Sequence, residues 1–264
     1  MRFIAPLLAL CLLPTFPDIG ASVIVFDDFG PSGTNSALSG RTPVTSPGND
    51  WIGYSSGTSF GWQVSDGEAQ YGSSSVQNGM AGILLSANYF ADNPNVYSLK
   101  STMSMTDIDA TTWYGVGFSE SIGTVPDRGF YIAGPTEGRP WIFARNNGEL
   151  NVRAGGATGS TIYSQTGKDF SSFEMELVLD TSVANWTVDA FFNGVQLDLN
   201  GGSIGMTYTY STNPSSLGAI GFSSSANAQG TIQSITLETI PEPQTYAIIL
   251  GAVCLVGLIA RRRR

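Results

Sequence analysis

The chain has 264 residues, 12 of them basic and 21 acidic, with no histidine and a formal charge of −9 at neutral pH. Without histidine, Ser-His-Asp and Cys-His catalysis and every histidine-ligated metal site are excluded. Carboxylate chemistry and oxygen-ligated calcium remain.

At the N-terminus, Arg2 precedes an apolar run from Phe3 to Leu13, interrupted by Pro6, and Ile19-Gly20-Ala21 follows with a small residue at its end. This pattern predicts a secretory signal peptide over residues 1–21, too short to span a membrane and cut by signal peptidase after Ala21. Leu8-Ala9-Leu10-Cys11 departs from a lipoprotein box, because Leu10 is not small. The predicted export domain is residues 22–239, a usual size for one all-β domain. Cys11 and Cys254, the two cysteines, both lie outside it, so it forms no disulfide. Arg2 and the four terminal arginines, with Asp18 and Glu242, belong to the ends. Seven basic and nineteen acidic residues remain between them, a net of −12. A domain so charged should repel nucleic acid and anionic polymer.

Short alternating runs separated by turn residues predict strands. Ser22 to Phe29 comes first, with Val23, Val25 and Asp27 on one face, and a loop rich in Pro, Ser and Gly follows from Gly30 to Asp50. Phe60–Val64 and Ala69–Tyr71 flank Asp66-Gly67, a two-residue hairpin signal. Ala81–Leu85 is apolar, and Val96–Met105 alternates as a strand buried on one side. In Trp113–Ser119, Tyr114, Val116 and Phe118 share one face, and Trp113, Gly115 and Gly117 the other. Gly129–Ala133, Trp141–Ala144, an Asn147-Gly148 turn and Leu150–Arg153 come next. Phe173–Leu179 sets Phe173, Met175, Leu177 and Leu179 against Glu174, Glu176 and Val178. Trp186–Phe192 and Val195–Leu199 are joined by Asn193-Gly194, and Leu217–Phe222 and Thr231–Leu237 complete about a dozen strands. The absence of a 20–50-residue repeat argues against a propeller or solenoid.

Three stretches carry a resemblance. Phe26-Asp27-Asp28-Phe29 resembles the opening strand of the concanavalin A-like lectin/glucanase fold. Residues 186–194, Trp-Thr-Val-Asp-Ala-Phe-Phe-Asn-Gly, resemble its strand and hairpin. Gly218–Phe222 with Gly230–Leu237 resembles its closing pair. The resemblance implies an all-β jelly-roll sandwich of antiparallel strands, with a plain jelly roll of another lineage as the rival. It also implies polysaccharide as a partner, by analogy of fold.

Glu174, Glu176 and Asp180 share one strand face, with the two glutamates about 7 Å apart. Paired carboxylates at such distances hydrolyse glycosides. Some glucanases of this fold carry Glu-x-Asp-x-x-Glu on a strand; here the middle acid is Glu176 and the last position is Leu179, so no catalytic residue is assigned. Asp107-Ile108-Asp109 with Thr111 and Thr112 offers oxygens of the kind calcium takes, and reads first as a turn. No metal or cofactor is assigned. Trp113 and Trp141 are the candidate sugar-stacking residues, Trp113 beside glycines on its strand and Trp141 after Pro140.

The last segment, residues 240–264, has three parts: Pro241-Glu242-Pro243, an uncharged apolar run over residues 245–260, and Arg261-Arg262-Arg263-Arg264. The run predicts a transmembrane helix, with the arginines as a basic stop signal on the cytoplasmic side and the domain outside. All three parts in this order resemble the PEP-CTERM sorting signal of Gram-negative bacteria. That resemblance implies processing by exosortase, a membrane-embedded cysteine protease, in a host that makes exopolysaccharide. The expectation is an exported protein, anchored in the inner membrane by its helix and then sorted to the cell surface or matrix. It is read as non-enzymatic, with a glycoside hydrolase or lyase and a purely structural or adhesive domain as the alternatives.

Overall fold

Turn chemistry sets the hairpins. Asp66 and Gly67 have φ of 53° and 80°, and Asn193 and Gly194 have 50° and 73°. Two successive positive values make the type I′ turn, whose twist matches that of the strands it joins. Asn147-Gly148 closes its hairpin differently. Arg145 pairs with Glu149, so the loop has three residues, and only Gly148, at 82°, takes the left-handed conformation.

The computed structural model describes residues 21–30, 36–55, 61–71, 79–106, 112–120, 139–155, 160–202, 205–225 and 228–241. Ser22–Ile240 is one compact unit. Its strands open with β1 (Ser22–Asp27), β2 (Ser36–Ala37), β3 (Ile52–Ser55), β4 (Trp62–Ser65), β5 (Glu68–Tyr71) and β6 (Gly79–Leu84). One helical turn, α1 (Tyr89–Asp92), precedes β7 (Val96–Met105), β8 (Trp113–Ser119), β9 (Trp141–Arg145), β10 (Glu149–Gly155) and β11 (Ser160–Gln165). The rest are β12 (Phe173–Asp180), β13 (Thr187–Phe192), β14 (Val195–Gln196), β15 (Tyr208–Thr209), β16 (Ala219–Ser224) and β17 (Gly230–Ile240).

Among the described residues these make two antiparallel sheets. The ten-stranded sheet runs β14-β13-β12-β7-β17-β5-β4-β2, with β1 also on β17 and β15 on β13. The seven-stranded sheet runs β11-β10-β9-β8-β16-β6-β3. Their facing sides share one core. Leu99, Leu177 and Leu237 come from the first sheet, and Ile83, Val116, Ile142 and Phe222 from the second. Aromatic rings join them: Trp62 of β4 lies 4.5 Å from Phe222 and 5.9 Å from Tyr114, centroid to centroid. Trp51, Trp62 and Trp186 are buried in this core.

The expected alternation holds in β7 and β12, where Phe173, Met175, Leu177 and Leu179 all face inward. In β1 it holds only in part. Val25 and Asp27 are buried, but Val23 is 45% exposed, because a bulge shifts the register against β17 between Val23 and Val25. Val195–Leu199 shortens to the two residues of β14, although Leu197 and Leu199 stay buried. β3 and β11, the two edges of the seven-stranded sheet, were not among the expected strands.

Among the described residues no helix is long and apolar enough to cross a membrane. The predicted helix over residues 245–260 lies outside them, as do Glu242, Pro243 and Arg261 to Arg264. The signal segment up to residue 20, Asp107 to Thr111 and the expected strand Gly129–Ala133 lie outside them too. Ala21 and Pro241 are described, just beyond the two ends of the compact unit.

Candidate functional site: the exterior face of the seven-stranded sheet

Period two fixes which side chains leave the core. Tyr114, Val116 and Phe118 of β8 and Ile142 and Ala144 of β9 point inward. Trp113 of β8 and Trp141, Phe143 and Arg145 of β9 therefore point outward. In β10, Leu150 and Val152 are core, so Glu149, Asn151 and Arg153 also point outward. The register sets Trp113 across from Arg145 and Arg145 across from Glu149. It likewise sets Phe143 across from Asn151, and Trp141 across from Arg153.

This exterior face has its own apolar cluster, formed by Met80, Trp141, Phe143 and Ala219, with Leu84 and Trp113 packed against it. Both predicted tryptophans are here, in different roles. Trp141 is 4% exposed. It lies so close on Gly117 that a Cβ there would sit 2.5 Å from its Cδ2 and 2.6 Å from the Pro140 carbonyl oxygen. Trp113 is half-buried and meets Phe143 edge to face at 6.3 Å.

Arginines surround these rings. The Arg145 and Arg153 guanidinium carbons lie 5.6 Å and 5.2 Å from the Phe143 ring centre, within cation–π range. Arg145 pairs with Glu149 at 3.6 Å, and at the other end of β9 Arg139 pairs with Glu120 at 3.4 Å. Burial pushes the Arg153 pKa down, Arg145 adds to that, and Glu149 opposes it. The Glu149 carboxyl is held below its usual range by nearby Asn151 above all, against the opposing effect of burial, with smaller help from Ser164, Arg145 and Asn147. Ser164 Oγ–H donates to Glu149 at 3.0 Å, whereas Asn151 Nδ2 sits near it without reaching hydrogen-bond geometry. None of the arginines within the domain was among the expected site residues, although Arg128, Arg139, Arg145 and Arg153 fall within 26 residues of one another in a lysine-poor chain.

Among the described residues, the two carboxylates of this face stand seven residues apart along the strands, because Glu149 is level with Arg145 and Glu120 lies three residues past Gly117, the partner of Trp141. That is roughly 20 Å at the rise of a strand. Glycoside hydrolysis by a carboxyl pair needs about 5–9.5 Å. The other acidic set, Glu174 and Glu176, is on the exterior of the ten-stranded sheet. Lys100 lies 3.8 Å from each, and Ser98 Oγ–H donates to Glu176 at 2.6 Å. Asp180 accepts from Ser182 in the next turn.

Asp27 is a core residue. Its carboxylate accepts from Trp51 Nε1 at 2.7 Å and the Phe29 amide at 2.8 Å, and meets Arg41 at 3.3 Å. Among the described residues no group of three or more acidic or cysteine side chains is placed to hold a metal ion.

In fold, the two-sheet antiparallel sandwich is similar to solved structures of other proteins. An endo-1,3-beta-glucanase from Streptomyces sioyaensis superposes with a TM-score of 0.53 at 12% identity, over 87% of this chain and 99% of the glucanase. A structure from work on endo-acting O-glycanases expressed by prominent members of the human gut microbiota superposes at 0.50 and 8% identity, over 84% of this chain and all of that one. At such identities the likeness is one of fold alone. No curated protein matches the chain by sequence. The tail is more specific: residues 239–264 match the family model of the PEP-CTERM protein-sorting motif. The chain carries a PEP-CTERM sorting signal at its C-terminus.

Proposed function

We propose that this is an exported protein, anchored by a helix over residues 245–260 until exosortase processes it at Pro241-Glu242-Pro243. Its sandwich then serves at the cell surface or in the extracellular matrix as a non-enzymatic, polysaccharide-binding module. The observation that carries the binding half is the exterior face of the seven-stranded sheet. Aromatic rings and guanidinium groups meet there on one surface, the combination that stacks on sugar rings and donates to their oxygens. Trp113 borders the ligand, and Trp141 and Phe143 form the floor that holds the arginines in place. The roughly 20 Å between Glu120 and Glu149, and the ion pairs of Glu174 and Glu176 with Lys100, support binding over hydrolysis.

A glycan array with wild type and Trp113→Ala tests the binding half. Loss of glycan binding on that change supports it, and an array without a single hit favours a purely structural or adhesive domain. Reducing-sugar release from a polysaccharide panel would instead favour the hydrolase alternative. For sorting, Pro241, Glu242 and Pro243 are changed together to alanine in a host that carries exosortase. The mutant should stay inserted and unprocessed, and release at wild-type mass would reduce the motif to a linker.

A further inference from the structure

We propose that the exterior face of the seven-stranded sheet takes an anionic polysaccharide, with Arg139, Arg145 and Arg153 holding its carboxylate or sulfate groups and a sugar ring beside Trp113. The proposal rests on the carbohydrate-binding reading and names the chemical class of its ligand.

The first support is where the cations lie. Residues 22–239 hold seven basic against nineteen acidic residues. Three of the seven are on this one face, against two described carboxylates, Glu120 and Glu149, which pair with Arg139 and Arg145 and leave the face one positive charge in excess among the described residues. The exterior of the ten-stranded sheet has the opposite character. Glu68, Glu174, Glu176, Asp189 and Glu238 lie there with Lys100 the one cation among the described residues. Net charge alone predicts repulsion of every polyanion, but the register of β8, β9 and β10 gathers the arginines where an acidic chain can meet them without crossing the acidic face.

The second support is the chemistry of the cations. All three are arginine, whose planar fork matches carboxylate and sulfate oxygens and stacks on aromatic rings. Two lie within cation–π range of Phe143. The surroundings of Arg153 are dry enough to depress its pKa, so an ion pair there is screened less than one in open water. A polysaccharide fits better than nucleic acid. A uronate polymer carries one such charge per sugar and presents flat apolar ring faces, whereas duplex DNA carries a charge about every 1.7 Å and would meet the net −12 of the domain at full strength.

The test uses full-length protein in a non-ionic detergent, with binding measured to a uronate polymer, a sulfated polymer, a neutral β-glucan and duplex DNA. Binding to one or both acidic polysaccharides is expected, weakening as salt is raised, and the two polymers separate carboxylate from sulfate recognition. Arg145→Gln and Arg153→Gln should each weaken it about tenfold or more, the range for losing a charge-assisted hydrogen bond. Arg145→Lys should fall between, keeping the charge without the fork. Lys100→Gln, on the other sheet, should change nothing. Arg145 is 38% exposed, so its variants should stay folded, which a melting curve checks. Neutral glucan bound as well as the acidic polymers, with no loss in Arg145→Gln, overturns the proposal and leaves the carbohydrate reading standing. Binding to no polysaccharide overturns both. Preference for DNA, or an equal loss in Lys100→Gln, also overturns the proposal.

Discussion

Gly117→Ala probes the floor of the binding face with a single methyl group. The added Cβ would lie 2.5 Å and 2.7 Å from Trp141 Cδ2 and Cγ, and 2.6 Å from the Pro140 carbonyl oxygen. Unstrained carbon contacts fall at about 3.5–4.0 Å, so the overlap is near 1 Å on both a ring and a backbone atom. Neither yields by a rotamer change alone: Trp141 is 4% exposed in a packed cluster, and Pro140 continues directly into β9. Overpacking of this kind costs about 1–3 kcal/mol. Gly117 does not have a positive φ, so alanine recovers about 0.4–1 kcal/mol by restricting the unfolded chain. The net expectation is a loss of about 1–2 kcal/mol, a Tm lower by about 2–8 °C for a domain of this size. Gly61→Ala is the internal control. A Cβ there meets nothing within 4 Å and its φ is not positive, so it should be neutral or slightly stabilising. The assay is thermal melting followed by tryptophan fluorescence, with glycan binding measured alongside. If Gly117→Ala melts with Gly61→Ala and leaves emission and binding unchanged, Trp141 does not rest on Gly117 and the floor has been misread.

Asp27→Ala should cost about 3–5 kcal/mol, since it strands the Trp51 indole N–H and the Phe29 amide in the core and leaves Arg41 unpaired; Asp27→Asn should cost less, and equal denaturant midpoints for the two would contradict the network. Because the Glu149 pKa lies below its unfolded value of 4.5, its contribution to stability is present above that pH and is lost as pH falls through the lower folded value. Glu149→Gln should therefore flatten the acid limb of stability between about pH 6 and about pH 3, and parallel limbs in wild type and mutant would refute the assignment. Exported protein should begin near Ser22, which N-terminal sequencing reads directly; an intact Met1 on the membrane-bound form would contradict the signal peptide.

Local chemistry was legible in the sequence. Asp66-Gly67 and Asn193-Gly194 announced type I′ turns because few other residue pairs accept two positive φ values in succession. Val96–Met105 and Phe173–Leu179 declared their buried faces because alternation is a property of a single strand. The sorting tail was legible for the same reason: its three parts are contiguous, and no folding is needed to bring them together. The tertiary structure decided what lies across from what. The bulge that exposes Val23 depends on how β1 meets β17. Asp27, which ends its strand beside another aspartate, became a core acid only because Trp51 and Arg41 come to it from the loop beyond. Trp113, Phe143 and Arg153 sit on three strands, and no pattern within any one of them shows that they share a surface. Their adjacency follows from the pairing of β8, β9 and β10, which depends on long-range register and on the core beneath it.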